Sequence, residues 1–191
     1  MHFPKKNIYS RFFHLLGFKL INQPPPEFHK CIVIYVPHTS NWDYVLGVTC
    51  LLGLGMPVRV AIKEFWTRWP FGIVIKRFGG IGIDRSHDSK VSHVDVLAKA
   101  IATLDKGALV VTPEGSRKLR TKWKTGFYYI AQKANVPIVT IKGNYADKTA
   151  EFGPVILPTA TKDEAMITLM QYFKDSKAKF PEWFAVDERY V

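Results

Sequence analysis

Cys31-Ile32-Val33-Ile34-Tyr35-Val36-Pro37-His38-Thr39-Ser40-Asn41-Trp42-Asp43 is the stretch on which the fold turns. Its first six residues form a near-continuous β-branched and apolar run, the pattern of a strand buried on both faces of a sheet. The run ends at Pro37-His38, and Ser40-x-x-Asp43 then has the spacing of a helix-capping box. A buried strand therefore delivers a histidine to its end, and a helix is predicted to start at Ser40 and to reach about residue 54.

Working outward, the same alternation repeats. Val58-Arg59-Val60-Ala61-Ile62 reads as a second strand, residues 63–77 as a helix broken at Pro70, and residues 79–85 as a glycine-flanked strand ending at Arg85. Residues 88–105 place Val91, Val94, Leu97, Ala98, Ile101 and Leu104 on one helical face, with Gly107 as the stop. Ala108-Leu109-Val110-Val111-Thr112 is another buried strand and runs directly into Pro113-Glu114-Gly115-Ser116-Arg117. A helix over residues 122–135 and a strand over 137–142 follow. Thr161-x-x-Glu164 opens a last helix with Met166, Leu169, Met170 and Phe173 facing inward. Strands alternating with helices predict an α/β fold: a single layered domain with a mostly parallel central sheet flanked by helices.

An N-terminal amphipathic helix precedes that domain. Ile8, Phe12, Leu15, Leu16 and Lys19 recur at helical intervals among cations and aromatics. Gln23-Pro24-Pro25-Pro26 then makes a stiff connector, so residues 1–26 are read as helix and connector and residues 27–191 as the α/β domain. Such a helix either lies in the headgroup region of a bilayer or docks on the protein's own core, and one pattern serves both.

With 27 Lys and Arg against 16 Asp and Glu, the 191-residue chain carries a formal charge of +11. Its preferred partner surface is negative: nucleic acid, anionic lipid or a phosphorylated small molecule. Cys31 and Cys50 sit in apolar runs without C-x-x-C spacing and read as reduced core residues of a cytosolic protein. The N-terminus lacks the pattern of an export signal. The longest apolar stretch, residues 45–58, is broken by Gly47, Gly53, Gly55 and Pro57 and falls short of the roughly 20 residues a membrane span needs, so no transmembrane helix is expected.

Two segments carry chemistry. If His38 lies in the loop and Asp43 in the first helical turn, the carboxylate can reach back and hold one ring nitrogen, leaving the other as a base. The same Ser40-x-x-Asp43 also works as a plain helix cap, and the two uses are compatible. In the second segment Gly115 permits close backbone approach, and Ser116 and Arg117, followed by Lys118, Arg120, Lys122 and Lys124, suit a phosphate or carboxylate. The plainer reading of that run is a solvated basic loop. Strand ends on one edge of a parallel sheet open on a common crevice, so His38, Arg85 and Glu114 to Arg117 are expected to share one site. His2, His14, His29, His87 and His93 are read as polar surface residues.

These residues resemble the ordered blocks of the glycerolipid acyltransferases, which include the 1-acylglycerol-3-phosphate O-acyltransferases. The blocks are His38-x4-Asp43, Gly80-x-Ile-x-Ile-Asp-Arg85, Pro113-Glu-Gly-Ser-Arg117 and Val136-Pro-Ile-Val139, with Lys63-Glu64 and Pro70-Phe71-Gly72 similar between the first two. The resemblance spans residues 32–142 in order. It implies that His38 is the general base on an acceptor hydroxyl, that Asp43 orients it, and that the hydroxyl attacks the thioester of acyl-CoA or acyl carrier protein without an acyl-enzyme. It further implies that Arg85, Glu114, Gly115, Ser116 and Arg117 build the acceptor phosphate site, with Glu114 ordering the loop or pairing with Arg117 or a lysine. No metal or other cofactor is implied, and the acceptor is expected to be a lysophospholipid at the cytoplasmic face of an anionic membrane. Pro37, Thr112 and Thr140 depart from residues the family often has, and Ser116 replaces the more usual threonine. The other readings are an acyltransferase for a different lyso-lipid, a catalytically silent basic protein binding nucleic acid, and a metal hydrolase. No zinc-ligand spacing, RNP-like block or clear helix-turn-helix supports the last two.

Overall fold

The computed structural model describes residues 3, 7–68, 72–73, 79–83 and 92–191. Its centre is a seven-stranded sheet in the order β1-β7-β6-β2-β5-β3-β4. The strands are β1 (Lys19–Leu20), β2 (Lys30–Val36), β3 (Val58–Lys63), β4 (Gly80–Ile83), β5 (Gly107–Val111), β6 (Ile138–Asn144) and β7 (Thr149–Ile156). β6, β2, β5, β3 and β4 run parallel, β7 is antiparallel to β6, and β1 is parallel to β7. Among the described residues five α-helices cover the sheet: α1 (Ile8–Leu15), α2 (Asn41–Gly53), α3 (His93–Ala102), α4 (Gly126–Ala134) and α5 (Lys162–Phe173).

β2 shows why helices must lie on both sides. Ile32, Ile34 and Val36 pack with Leu97 and Ile101 of α3, Phe127 and Ile130 of α4, and Met166 and Leu169 of α5. Cys31, Val33 and Tyr35 point the other way, to Phe13 of α1 and to Leu46, Cys50 and Leu51 of α2. A strand with two buried faces cannot alternate apolar with polar, and this one does not. Both cysteines are buried and unpaired with each other.

The predicted helices are present, though shorter, and each boundary has a local cause. Ser40 and Asp43 form a complete capping box on α2, and Thr161 and Glu164 another on α5. α3 starts at Ser92 as its cap and stops at Thr103; Gly107 instead opens β5 with φ 158°. Asn135, in left-handed conformation, ends α4. Of the helix expected over residues 63–77 and broken at Pro70, Lys63 ends β3, Glu64–Thr67 form a 3-10 turn and residues 72–73 are helical, while residues 69–71 and 74–78 lie outside the described residues. Residues 84–91, which include Arg85, lie outside the described residues.

α1 is docked on the protein itself. Asn7 caps it and donates through Nδ2 to the carbonyls of Leu52 and Gly53 at the end of α2. Phe13 is fully buried, worth about 2–3 kcal/mol of apolar burial. A Cβ at Gly53 would lie 2.7 Å from the Phe3 ring, so the close approach of the N-terminal segment needs glycine there. The amides of Gly17 and Phe18 close the helix on His14 and Phe13, after which Lys19 and Leu20 join the sheet beside β7. The outer face of α1 still leaves Ile8, Phe12 and Leu15 exposed.

Candidate active site

Three neighbouring strands bring the site together. β6, β2 and β5 lie side by side and parallel, with Val36 opposite Lys142 and Ile34 opposite Val111. Whatever follows their C-terminal ends must therefore meet at one edge of the sheet. Tyr145 follows β6, His38 follows β2 and Glu114 follows β5. This placement brings His38 together with Glu114 to Arg117, as expected; Arg85 lies outside the described residues.

Asp43 is fully buried at the third residue of α2. Its Oδ2 accepts from the amides of Thr39 at 2.5 Å and Ser40 at 2.6 Å, and its Oδ1 accepts from the Tyr145 hydroxyl. The His38 Nδ1 lies 4.0 Å from Asp43 Oδ2, which is a charge contact and too long for a hydrogen bond. The carboxylate thus caps the helix and faces the histidine at once, but it does not hold the ring nitrogen directly. Burial raises the Asp43 carboxyl above its usual value, and these donors together with His38 oppose the rise. Burial lowers the His38 imidazole below its usual 6.5; Asp43 pulls it back up and Arg117 lowers it further. An imidazole so placed is neutral near pH 7 and able to take a proton. Nδ1 is buried, so the part of the ring open to a ligand is the opposite edge, which carries Nε2.

Glu114 does not pair with Arg117. Its Oε1 accepts the backbone amide of His38 at 3.1 Å, tying the second loop to the first. Among the described residues its Oε2 is buried with no hydrogen-bond partner. Burial pushes its carboxyl up to about 8, only partly opposed by the His38 amide, and Asp43 adds to the rise. Glu114 is therefore protonated at neutral pH. Gly115, at φ 65°, turns the loop, and a Cβ there would sit 2.9 Å from Lys124 Cε. The Ser116 hydroxyl accepts the Lys118 amide, and the exposed Arg117 donates to the Asn41 side chain at the start of α2.

His38, Asn41, Asp43, Gly115 and Arg117 line a cavity of about 740 Å³. His38, Asp43, Gly115, Arg117 and Lys124 give it polar walls, whereas Val60, Ile62, Ile83, Leu97, Phe127 and Ile130 make the remainder apolar. His93, read from the sequence as a surface residue, also lines it. A basic loop, a neutral imidazole and apolar walls around one cavity suit a ligand with a charged head and a hydrocarbon tail. Among the described residues no group of His, Cys, Asp and Glu is arranged to hold a metal ion.

Residues 20–142, well over half of the chain, match the family described as Acyltransferase. The chain belongs to this family. The structure is also similar to the 1-acyl-sn-glycerophosphate (LPA) acyltransferase PlsC from Thermotoga maritima, with a TM-score of 0.57 and 15% identity over 86% of this chain and 71% of that one. At that identity the likeness speaks for a shared fold. A search of curated proteins by sequence gives no match. The matched segment contains His38, Asp43 and Glu114 to Arg117 but stops before Tyr145. Sequence reasoning missed Tyr145, since only its place after β6 marks it.

Proposed function

We propose that this acyltransferase moves a fatty acyl group from a thioester donor, acyl-CoA or acyl carrier protein, to the hydroxyl of a lysophospholipid, with 1-acylglycerol-3-phosphate as the acceptor and phosphatidic acid as the product. The observation that carries the reading is the junction of the His38 loop and the Glu114–Arg117 loop at a cavity that has both polar and apolar walls. His38 removes the acceptor's hydroxyl proton as the oxygen attacks the thioester carbonyl. The tetrahedral adduct then collapses, the carbon–sulfur bond breaks, and the departing thiolate takes the proton from His38. Asp43, 4.0 Å away, favours the imidazolium formed in between. The phosphate of the acceptor meets Arg117, the backbone turn at Gly115 and Ser116, and Arg85 completes that site. Protonated Glu114 adds no negative charge to repel phosphate and holds the His38 loop in place. The reaction calls for no metal or other cofactor.

Both substrates are amphipathic, and the charge of +11 favours an anionic membrane surface, so the protein works as a peripheral enzyme on the cytoplasmic face. No helix among the described residues is long and apolar enough to cross a membrane. Purified protein supplied with acyl-CoA and 1-acylglycerol-3-phosphate is expected to release thiol and form diacyl product, and His38→Ala is expected to form none above background. Turnover with every lyso-lipid except the phosphate-bearing one would move the acceptor to another class. Equal turnover by His38→Ala would remove the base.

A further inference from the structure

Next to residues that line the cavity the surface carries a cluster that neither the chemistry nor the core uses. Trp42 sits between the cavity-lining Asn41 and Asp43, yet its side chain is 46% exposed. Lys179 lies over the Trp42 ring at 5.7 Å and over the Phe180 ring at 5.8 Å, and Phe180 stacks at 4.8 Å on Trp183, itself 43% exposed. The Phe180 amide donates to the Thr39 hydroxyl, which fastens this C-terminal turn to the His38 loop. Arg117, bonded to Asn41, places the basic loop at the same helix start. In that loop Leu119 is 49% exposed between Lys118 and Arg120. Among the described residues none of Lys118, Arg120, Lys122 or Lys179 is ion-paired.

We infer that Trp42, Phe180, Trp183 and Leu119, with their flanking cations, form a membrane-docking rim that seats the cavity mouth on an anionic bilayer. Three observations favour lipid as the occupant. Tryptophan rings beside lysine are at home where headgroups meet acyl chains, because one ring edge is apolar and the other polar. A leucine flanked by unpaired cations can dip into the acyl boundary while its neighbours hold lipid phosphates. The rim also adjoins residues that line the cavity, Trp42 lying between Asn41 and Asp43 and Leu119 two residues after Arg117. Part of the rim, the turn at residues 179–183, lies outside the family-matched segment. The inference rests on the proposed lipid acyl transfer for its purpose, but it is measured without it.

The test is flotation of the full chain with vesicles of mixed phosphatidylglycerol and phosphatidylethanolamine. The Trp42→Ala/Trp183→Ala variant is expected to bind about tenfold more weakly and Leu119→Ser severalfold more weakly, whereas Ile167→Ala, which removes an exposed apolar residue on α5, binds as wild type. Wild-type tryptophan emission is expected to be quenched by vesicles brominated high in the acyl chain, a reading that needs no variant to fold. Unchanged flotation of both rim variants, or absence of that quenching, would overturn the rim. Acyl transfer to a short-chain, water-soluble acceptor, followed in parallel, separates the two ideas. Weakened flotation without any transfer by wild type would leave the rim standing and the acyl-transfer reading fallen, and transfer with unchanged flotation would do the reverse.

Discussion

Asp43 and Glu114 are both carboxylic acids buried beside His38, yet Asp43 accepts from three donors and Glu114 from one. Desolvation raises both. At Asp43 two amides and a phenol oppose it, each favouring the ionised form; at Glu114 one amide opposes it and the second oxygen has no partner among the described residues. With three donors Asp43 keeps more of its tendency to ionise, whereas Glu114, with one, is pushed up to about 8. Two like groups near one histidine are thus shifted differently by their surroundings.

The comparison breaks most severely at Asp43. Asp43→Ala leaves the Thr39 and Ser40 amides and the Tyr145 hydroxyl without their acceptor and removes half of the α2 capping box. It is expected to cost about 3 kcal/mol of stability, read as a lower urea midpoint. A midpoint equal to wild type would mean that Asp43 is not the anchor described.

At Glu114 the comparison is sharpened by pH. The folded-state value near 8 lies above the unfolded value near 4.5, so the folded protein holds a proton that the unfolded chain has released. Stability from this group is fully present below about 4.5 and is lost as pH rises through about 8. His38 works in the opposite sense, and only below its usual 6.5, because its folded value is depressed. Between pH 7 and 8 Glu114 therefore acts without it, and wild type is expected to lose about 1 kcal/mol more than Glu114→Gln over that interval. Parallel stability curves for the two proteins would contradict a protonated Glu114. The glutamine keeps an acceptor for the His38 amide, so its transfer activity should stay within severalfold of wild type.

The smallest effect is expected at Tyr145. Tyr145→Phe removes one of the three donors and should cost about 0.5–1 kcal/mol. The loss is present above the Asp43 pKa and disappears as pH falls through it, because the hydroxyl favours the ionised carboxylate. A loss that does not change with pH would assign Tyr145 to packing against Phe18, its ring neighbour at 5.4 Å.

Most of the sheet was legible because β2, β5 and β6 are buried on both faces and so carry unmistakable β-branched runs. β1 and β7 were not read. β1 has only two residues, and β7 contains Gly153-Pro154, which sequence rules take as a break. The Pro154 carbonyl instead accepts the Thr140 hydroxyl where β6 and β7 shift register. The capping box and the meeting of His38 with the Glu114 loop were readable, since local spacing and parallel strand ends fix both. Tyr145 and the Lys179–Trp183 turn were not, because they reach the His38 loop across 102 and about 140 residues of sequence and leave no local pattern there.

The central claim is that a neutral, partly desolvated His38 is the base. It is tested most directly by the pH dependence of thiol release from acyl-CoA in the presence of acceptor. Wild type is expected to show an acid limb with its midpoint below 6.5, and His38→Ala to lack both the limb and the rate. A midpoint well above 6.5, or the same limb and rate in His38→Ala, would contradict it.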